Sequence, residues 1–489
     1  MNETLKSKTV FGFIWSFIEV IMNQGTQFII QIILARLLLP DDFGVIGMIT
    51  IFIAVSNSIV DSGLSNALIR EKEINNTKYS TIFYFNLLIS LCMYALLYFI
   101  APLVAQFYSE PKLISILRIL SLSIIINSFG LIQKTILIRK IDFKSQTKIT
   151  MISSIISGFI AVASAFSGLG VWSLVLRTLS MSILQSLLLF IHNRWIPKLV
   201  FSIRDFKKLF CFGWRMLVSG LIDTLYVNLY YLIIGKSFSA MTLGYYTNAC
   251  KLKDTISQSI TGAVQKVSLP VLSNINGNNA NLKNAYKKIL KNTAFIVFPI
   301  MVGLSAVGDS IITILFGEKW IPSIVYFQIL CLEAMLYPIH AINLNILQVK
   351  GRADLFLKLE IIKKIVGIAF IAIAIFLKSG INGLLAVAVF VSYIDYFINS
   401  MYSKKLINYS IKEQLRDLMP ILAISFVMGI FVYLIKLISH VNAIELLFMQ
   451  ILAGIIIYIT EARAIKSNEL KVMLGIIRTL VRKPINKEV

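Results

Sequence analysis

The stretch STIFYFNLLISLCMYALLYFIAPLVAQF, residues 80–107, runs for 28 residues without an Asp, Glu, Lys or Arg. A helix needs roughly 20 apolar residues to cross a hydrocarbon core of roughly 30 Å, so this stretch can span a bilayer. Backbone amides in lipid have no water to bond to, and a helix satisfies them within the segment itself. The stretch therefore predicts a membrane-spanning helix.

Comparable apolar runs occur along the whole chain. The run at 240–262 is the weakest, because Lys251, Lys253 and Asp254 interrupt it. No stretch between the runs has the charge density of a soluble domain. The sequence thus predicts an all-α polytopic membrane protein of about fourteen transmembrane helices. The predicted spans are 10–34, 43–64, 80–107, 113–138, 148–168, 171–191, 211–234, 240–262, 292–316, 323–347, 359–377, 381–401, 418–436 and 443–460.

The composition agrees with this fold class. Of the 489 residues, 57% are hydrophobic and 15% are charged, and the mean hydropathy is +0.81. An ordinary soluble protein carries about a quarter charged residues. A water-soluble enzyme is therefore excluded.

The net charge of +23 arises from 47 Lys and Arg against 24 Asp and Glu. Most of these cations lie at the N-terminus, in every second loop and in the C-terminal tail. This alternation is the positive-inside pattern, which predicts that both termini are cytoplasmic and that anionic membrane lipids contact the basic loops. No nucleic acid is expected as a partner, because its surface would need a clustered basic face on a polar domain. The loops on the opposite side contain few basic residues, namely Arg36, Lys112, Arg118, Lys236, Lys319, Lys378 and Lys436.

Several kinds of chemistry lack their sequence signatures. The chain has no G-x-x-x-x-G-K-[ST] loop, which argues against an ATP-driven motor. Its Cys and His residues are scattered without metal-ligand spacing, so neither a metal nor another cofactor is predicted. The predicted non-cytoplasmic loops are too short to carry an active site. These observations predict a transporter rather than an enzyme.

An internal repeat is visible at an offset of about 200 residues. Phe43-Gly44 corresponds to Leu243-Gly244, and Arg36 corresponds to Lys236. An even number of spans separates the paired helices, so the two halves insert in the same orientation, as in one class of secondary transporter. We predict an N-lobe at 1–200, a C-lobe at 201–405, and two extra helices with a basic tail at 406–489.

Polar residues follow one broad face of the first predicted helix. Glu19, Asn23, Gln27 and Gln31 are spaced four apart, with Gln24 beside them. Such a stripe would be costly against lipid and is expected to face a water-filled cavity. The alternative is hydrogen bonding between helices.

The seventh predicted helix repeats this pattern with Ser219, Asp223, Thr224 and Asn228. One polar helix in each half favours the cavity interpretation. We therefore predict that residues of both helices, including Asn228, line a path for a polar substrate.

Charged residues within the spans are few, and each needs a cavity or a partner. Arg177 is the leading candidate for binding an anionic group, with Arg36, Arg118 and Lys236 as an outer set. Arg215 lies near the predicted inner end of its helix. For the outer cations and Arg215, contact with the membrane interface is the alternative.

Carboxylates within the spans suggest coupling to an ion. Glu19, Asp223, Glu333 and Asp395 are the residues that can bind a proton or Na⁺. Coupling of transport to H⁺ or Na⁺ through one of them is a hypothesis.

Short motifs occur along nearly the whole chain. They are LPDDFG at 39–44, DSGL at 61–64, LGYY at 243–246, PVLS at 270–273, YPIHAINLN at 337–345 and QVKGR at 348–352. Their combination resembles that of the polysaccharide exporters, the lipid-linked oligosaccharide flippases of the multidrug/oligosaccharidyl-lipid/polysaccharide (MOP) superfamily. The chain is most similar to the teichuronic acid and colanic acid exporter branch.

This resemblance implies two six-helix lobes around a central cavity, followed by two extra C-terminal helices. It also implies that an undecaprenyl-diphosphate-linked oligosaccharide repeat unit is moved from the cytoplasmic to the outer leaflet of the bacterial inner membrane for cell-surface polysaccharide biosynthesis. Arg can bind the pyrophosphate through paired hydrogen bonds. Polysaccharide polymerase machinery is a further expected partner.

Two other functions stay open at this point. An ion-coupled multidrug or cation antiporter of the same superfamily would have an acidic cavity around Glu19, Asp223 or Glu333. A membrane enzyme acting on the same lipid carrier would need a large extracytoplasmic loop, which the sequence lacks. The family resemblance favours the flippase.

Overall fold

In a computed structural model, residues 24–275, 277–438 and 441–482 are described, and their regular elements are all helices. Two units are distinguished, the first ending at Asn248 and the second beginning at Ala249. The predicted lobe boundaries at 200 and 405 stay predictions. The helices before the unit boundary are α1 (24–37), α2 (Pro40–Asp61), α3 (Leu64–Arg70), α4 (Asn76–Tyr108), α5 (Leu113–Leu120), α6 (Leu122–Arg139), α7 (Phe143–Phe166), α8 (Val171–Asn193), α9 (Ile203–Val227) and α10 (Leu229–Ser237).

Helix α11 (Ala240–Asn274) contains the unit boundary. A short 3₁₀ turn at Glu318–Trp320 precedes α14. The helices of the second unit after α11 are α12 (Asn279–Ala306), α13 (Gly308–Phe316), α14 (Ser323–Ala334), α15 (Tyr337–Val349), α16 (Ala353–Phe376), α17 (Gly380–Ser400), α18 (Ser403–Ile407), α19 (Ile411–Ile438), α20 (Ala443–Ala464) and α21 (Asn468–Arg482).

Among the described residues, 11 helical segments are long and apolar enough to cross a membrane, and each overlaps a predicted span. The predicted spans at 240–262 and 359–377 are helical as well, within the more highly charged α11 and α16. The first predicted span, 10–34, lies mostly outside the described residues. The all-α polytopic fold is confirmed, and the count of about fourteen spans stays a prediction.

Apolar side chains fill the interior of each unit and also cover its surface. Leu68 and Ile82 of the first unit and Ile339 of the second are fully buried, at 0% exposure. Phe99 and Phe376, in contrast, are 76% and 86% exposed. Large exposed apolar surfaces are unfavourable in water, whereas lipid accommodates them, so these surfaces mark the membrane-facing sides of the helices.

The helix boundaries agree with the internal repeat. Helix α1 ends at residue 37 and α2 begins at Pro40, while α10 ends at Ser237 and α11 begins at Ala240. The second pair of boundaries thus follows the first by 200 residues. Proline favours the first turn of α2, because its missing N–H is not needed there.

Several predicted spans are interrupted, among them the fourth at Ser121, between α5 and α6, and the ninth at Val307, between α12 and α13. Two further interruptions are in the seventh predicted helix, which breaks at Asn228 between α9 and α10, and in the tenth, which breaks between Ala334 and Tyr337. In membrane transporters, helix breaks free backbone groups and commonly mark binding sites. Both breaks lie beside polar or charged side chains, which are described next.

Candidate functional site

Arg177 is the most unusual cation of the first unit. It lies within the membrane-spanning helix α8 and is half-buried. Its guanidinium has no ion pair or hydrogen bond with any residue that the structure describes. An unpaired charge in a span is costly, about 2.5–3.5 kcal/mol on insertion scales. Such a residue points to a hydrated surrounding or an anionic ligand.

Two of the three predicted outer cations, Arg118 and Lys236, bind carbonyl oxygens and aromatic rings of helix α4. Arg118 donates from Nε to the carbonyl oxygen of Tyr98 at 3.2 Å and lies 4.1 Å from the centre of its ring. Lys236 donates to the carbonyl oxygen of Phe107 at 2.5 Å and lies 4.6 Å from that ring. Arg36 is exposed near the end of α1. These contacts fit interfacial anchoring, and a substrate-binding role for the outer cations stays a prediction.

Helix α9 carries a polar face that is exposed. Arg215, Ser219 and Asp223 are spaced four apart and all are exposed, while Asn228 at its end is half-buried. Arg215 also lies 5.9 Å from the ring of Trp214. Exposed polar groups on a spanning helix are expected to meet water rather than acyl chains. The arrangement is consistent with the predicted path.

Asn228 occupies the break between α9 and α10. Its side-chain amide donates to the carbonyl oxygen of Thr224 at 2.8 Å. The same carbonyl also accepts from the backbone N–H of Asn228 at 3.2 Å, so both donors of Asn228 bind the last turn of α9. The sequence singled out Asn228 for its polarity but did not predict the break.

Only part of the polar stripe of the first predicted helix lies within the described residues. Glu19 and Asn23 lie outside the described residues. Gln24 and Gln27 are half-buried on α1. Gln31 is 6% exposed and donates to the side-chain oxygen of Asn248 at 2.5 Å. At Gln31 the structure therefore contains a bond between helices, and the path-lining role of the stripe stays a prediction.

Replacing Gln31 by leucine is expected to destabilise the protein by about 1–3 kcal/mol, because it leaves the side-chain oxygen of fully buried Asn248 without a donor. Thermal unfolding of the purified protein measures the loss. Gln24→Leu is the matched control on the same helix, with an expected change within about 0.5 kcal/mol. Equal stability of the two variants would contradict a structural role for Gln31.

The second unit contains a buried cluster of charges. The Lys253 side chain is 4% exposed, and its ammonium lies 3.1 Å from Asp254 and 3.3 Å from Glu333. The Tyr337 hydroxyl donates to Glu333 at 2.6 Å and lies 3.3 Å from the Lys253 ammonium. Glu333 and Tyr337 flank the break between α14 and α15. A buried charge such as that of Lys253 is tolerated only when opposite charges and hydrogen bonds compensate it.

Lys253 was missed as a site residue in the sequence, although a signal was present. Lys251, Lys253 and Asp254 interrupt the eighth predicted span, and we interpreted them only as weakening it. The structure instead gives Lys253 two carboxylate partners, one of them 80 residues away on α14.

Asp395 on α17 differs from Glu333, because one of its carboxylate oxygens is buried without a hydrogen-bond partner in the described part of the chain. The charged groups acting on it are Lys363, Glu360 and Glu333. Lys363 is already paired with Glu360 at 2.5 Å. Asp395 is thus a carboxylate available for a cation or a proton.

The YPIHAINLN motif on α15 supplies polar contacts to neighbouring helices. His340 lies 3.3 Å from Ser392 Oγ through Nε2 and 3.3 Å from the Asn399 amide through Nδ1. Asn343 donates to Ser400 at 2.8 Å, and Asn345 donates to Ser268 at 2.7 Å. These residues join α15 to α11 and α17. The motif therefore has a structural role within the second unit.

A cationic cavity of about 510 Å³ lies at the loop between α3 and α4. Glu71 accepts there from Lys208 at 2.8 Å and from Lys78 at 2.9 Å. These two hydrogen bonds, the one from Lys208 first, lower the pKa of Glu71 to about 2. Glu71 consequently stays ionised at physiological pH. The cavity is also lined by Arg70 and Lys72.

Metal ligands are not gathered in the described residues: no group of three His, Cys, Asp or Glu side chains comes together in 24–275, 277–438 or 441–482.

Membrane-spanning helices that are interrupted beside charged or polar residues are typical of membrane transporters, and the structure has this feature. Comparison with known sequences identifies the family. The model of the family described as "Polysaccharide biosynthesis protein" matches residues 33–325, and the chain belongs to this family.

Similar proteins come from several bacteria. The teichuronic acid biosynthesis protein TuaB of Bacillus subtilis (strain 168) is 28% identical over 61% of this chain, and the match spans 62% of TuaB. The lipopolysaccharide biosynthesis protein WzxC of Escherichia coli (strain K12) is 25% identical over 87% of this chain and 89% of its own length. The succinoglycan biosynthesis transport protein ExoT of Rhizobium meliloti (strain 1021) is 26% identical over 65% of each chain.

Solved structures share the fold. The lipid II flippase MurJ in an inward closed conformation aligns with a TM-score of 0.75 at 17% identity, over 93% of this chain and 98% of MurJ. A multidrug resistance MATE family transporter of the MOP superfamily, in an inward-facing conformation, aligns with a TM-score of 0.63 at 16% identity, over 79% and 94%. The predicted relationship to proteins of polysaccharide biosynthesis is confirmed by the family match, and the alignments with the solved structures show a shared fold.

Proposed function

We propose that the protein is a flippase that moves an undecaprenyl-diphosphate-linked oligosaccharide repeat unit from the cytoplasmic to the outer leaflet, for cell-surface polysaccharide biosynthesis. The observation that carries this proposal is Arg177, an unpaired cation on a spanning helix of a member of the polysaccharide biosynthesis family. A pyrophosphate is the anion that such a guanidinium binds well, through two parallel hydrogen bonds.

The rest of the substrate fits the other polar residues of the first unit. Sugar hydroxyls both donate and accept hydrogen bonds, as do the side-chain amides of Gln24, Gln27 and Asn228. The undecaprenyl chain stays in the bilayer while the headgroup crosses. Exposed Arg215 and the cationic cavity at Arg70 offer initial contacts for the pyrophosphate on the cytoplasmic side, if the basic loops face the cytoplasm as predicted.

Alternating access of the predicted lobes is the proposed mechanism. The protein would lie in the bacterial inner membrane with both termini in the cytoplasm, and polymerase machinery would receive the flipped repeat unit. These assignments rest on the positive-inside pattern and on the similarity to polysaccharide biosynthesis proteins.

The multidrug or cation antiporter is less well supported. It requires an acidic binding cavity, but Glu333 is already neutralised by Lys253 at 3.3 Å. The relatives named for polysaccharide biosynthesis also support a function more strongly than the fold shared with the MATE transporters does, because one fold can host many functions.

Deletion of the gene in its native host tests the proposal. We expect surface polysaccharide to be lost and a lipid-linked oligosaccharide to accumulate on the cytoplasmic leaflet, where an impermeant sugar-modifying reagent cannot reach it in intact cells. Complementation with the wild-type gene restores export. Accumulation of the oligosaccharide on the outer leaflet instead would exclude a flippase.

We further propose that Asp395 binds the coupling ion, H⁺ or Na⁺. One oxygen of this half-buried carboxylate is buried without a hydrogen-bond partner among the described residues, and such a group is stabilised by taking up a proton or a cation. Glu333 is a weaker candidate, because the ammonium of Lys253 already lies beside its carboxylate, where a coupling ion would bind. Asp223 is exposed, and Glu19 lies outside the described residues, so both stay hypotheses.

Asp395→Asn is expected to lower ion-driven export about tenfold, because an amide cannot gain or release the coupling charge. Substrate uptake into vesicles under imposed proton and sodium gradients measures the effect. Asp354→Asn is the matched control: this exposed carboxylate is paired with Arg352 at 2.7 Å, and we expect export to stay unchanged. Full gradient dependence in Asp395→Asn would exclude Asp395 as the coupling site.

A further inference from the structure

An apolar cavity of about 490 Å³ lies within the second unit, mainly between helices α12, α19, α20 and α21. Among the described residues that line it, only Gln450 and Tyr458 carry a side-chain nitrogen or oxygen atom. Protein interiors normally contain few voids larger than a water molecule. Since an unfilled cavity of this size would cost stability, a ligand with an apolar surface is expected to occupy it.

The two polar side chains of the cavity already have partners within the protein. The Tyr458 hydroxyl donates to the carbonyl oxygen of Phe295 at 2.8 Å. The Gln450 amide donates to the carbonyl oxygen of Val432 at 3.0 Å and accepts from the Ser310 hydroxyl at 3.3 Å. Because the protein itself uses these atoms, the lining favours a hydrocarbon chain over a polar ligand.

The cavity can be reached from the bilayer. Helices α12, α19 and α20 are long and apolar enough to span a membrane, and the lining residues Ile296, Ile451 and Ile455 are exposed on them. A lipid chain can therefore enter from the side without leaving the hydrocarbon core. The volume lies in the range of about 300–1,000 Å³ that is typical of a site for one small ligand. It suits an acyl chain, whereas the much longer undecaprenyl chain would extend far beyond it.

Helix α21 closes one end of this cavity. Glu469 in its first turn is paired with Lys291 of α12 at 2.7 Å and accepts from the Ser467 hydroxyl at 2.7 Å. These contacts hold the start of α21 against α12. Leu470 and Met473, which follow directly on α21, are therefore positioned to line the cavity.

Three exposed cations adjoin the end of the cavity that α21 closes. Arg463 follows the lining residue Ile459 by four positions on α20, so both lie on the same face of that helix. Lys466 lies in the turn between α20 and α21, and Lys471 follows the lining residue Leu470. In the described part of the chain, none of the three cations has an ion pair. We call Arg463, Lys466 and Lys471 the cationic rim.

The carboxylates near the cationic rim are less accessible than its cations. Glu469 is 8% exposed and is already paired with Lys291. Glu461 is half-buried, and one of its oxygens is buried. The surface at this end of the cavity is therefore positively charged, and a ligand with an acidic headgroup complements it.

We propose that the cavity binds one acyl chain of an anionic phospholipid, whose phosphate is held by the cationic rim. Basic pockets between membrane helices on the cytoplasmic side bind acidic lipid headgroups, and the rim lies on the side predicted to be cytoplasmic. The apolar lining binds the chain, and the rim selects the headgroup. The bound chain fills the space between α12 and the C-terminal helices, and it stabilises their packing because it binds only the folded protein.

Photo-cross-linking in vesicles tests the proposal. The full-length protein is reconstituted with phosphatidylglycerol that carries a diazirine at the end of one acyl chain, and in parallel with the matching zwitterionic phosphatidylcholine. We expect adducts on peptides of α12 and α20. Labelling by phosphatidylglycerol should exceed labelling by phosphatidylcholine at least about fivefold, since each cation near the membrane surface favours an acidic lipid by about that factor.

A variant without the cationic rim shows whether the rim selects the lipid. The rim variant combines Arg463→Gln, Lys466→Gln and Lys471→Gln. We expect its labelling by phosphatidylglycerol to fall to the level of phosphatidylcholine. The matched control removes three exposed lysines from the region of α18 and α19 and should keep the preference for phosphatidylglycerol. This control combines Lys404→Gln, Lys405→Gln and Lys412→Gln.

A matched pair on α20 tests the cavity itself. Ile455 lines the cavity and is 53% exposed, whereas its neighbour Ile456 is 61% exposed and does not line it. We expect Ile455→Trp to lower labelling about tenfold, because small changes of fit in an apolar pocket have effects of this size. Ile456→Trp should change labelling less than about twofold. Gly303→Phe is a second way to fill the cavity, since the nearest atom to a Cβ there is 3.6 Å away.

Several outcomes would overturn this inference. Equal labelling by the two lipids would exclude selection by the cationic rim, and labelling that persists in both Ile455→Trp and Gly303→Phe would place the lipid elsewhere. If undecaprenyl phosphate displaced the labelled lipid at a lower amount than unlabelled phosphatidylglycerol does, the cavity would hold the carrier lipid instead. All labelling is read from the protein without transport, so the result does not depend on the proposed flippase function.

Discussion

Replacing Arg177 by alanine is expected to abolish polysaccharide export while the protein remains folded and inserted. Hydrogen bonds to a charged group contribute about 1.5–3 kcal/mol, so losing a paired contact to pyrophosphate corresponds to a loss of roughly tenfold to more than a hundredfold. Removing an unpaired charge from a span should not weaken insertion, because the charge itself opposes it. The amount of surface polysaccharide and the amount of the variant protein in the membrane are measured in the same cells.

Two further variants define the role of Arg177. Arg177→Lys keeps the charge but loses the planar fork, and we expect partial export. Arg416→Ala removes an exposed arginine of α19 and serves as the control with unchanged export. Wild-type output from Arg177→Ala would remove the main support for the flippase proposal.

Replacing Lys253 by methionine is expected to cost about 3–5 kcal/mol of stability, because it leaves the largely enclosed Glu333, whose side chain is 17% exposed, without its cation. This is the largest effect on folding that we expect for a single substitution. The double variant Lys253→Met with Glu333→Leu removes both charges and should recover most of the lost stability, since an apolar pair replaces an ion pair of similar volume. Thermal unfolding in detergent compares the variants.

Lys436→Met is the matched control for Lys253. Its ammonium lies 3.0 Å from Asp309, but its side chain is 36% exposed, so water screens the pair. We expect a change of about 0–1 kcal/mol. If Lys253→Met were as stable as this control, the buried cluster would not be a structural element of the second unit.

Membrane spans were predictable from the sequence, because the length of an apolar run is a local property. The run at 80–107 lies within α4, and ten further spans were located in the same way. The repeat at an offset of 200 was also visible in the sequence, and in the structure the helix starts at Pro40 and Ala240 follow the same offset. The interruption of the seventh helix at Asn228 was not predicted, since no proline or glycine stands there.

The candidate site was predicted in part. Arg177 was identified as a binding residue from its position in a span, and the structure adds that it lacks a partner among the described residues. Glu333 was identified as a carboxylate for coupling, but the sequence did not reveal that Lys253 neutralises it. Asp395 is a stronger candidate for coupling, because one of its oxygens is buried without a partner in the part of the chain that the structure describes.

From the amino-acid pattern alone we predicted a helical membrane protein with an internal repeat, and we identified the polar residues that a bilayer does not tolerate alone. Which of these residues have a partner became visible only in the packed helices, because the partners are far apart along the chain. Gln31 meets Asn248 across 217 positions, and Lys253 meets Glu333 across 80. Hydrophobicity is carried by consecutive residues, whereas a hydrogen bond or an ion pair depends on how distant helices pack.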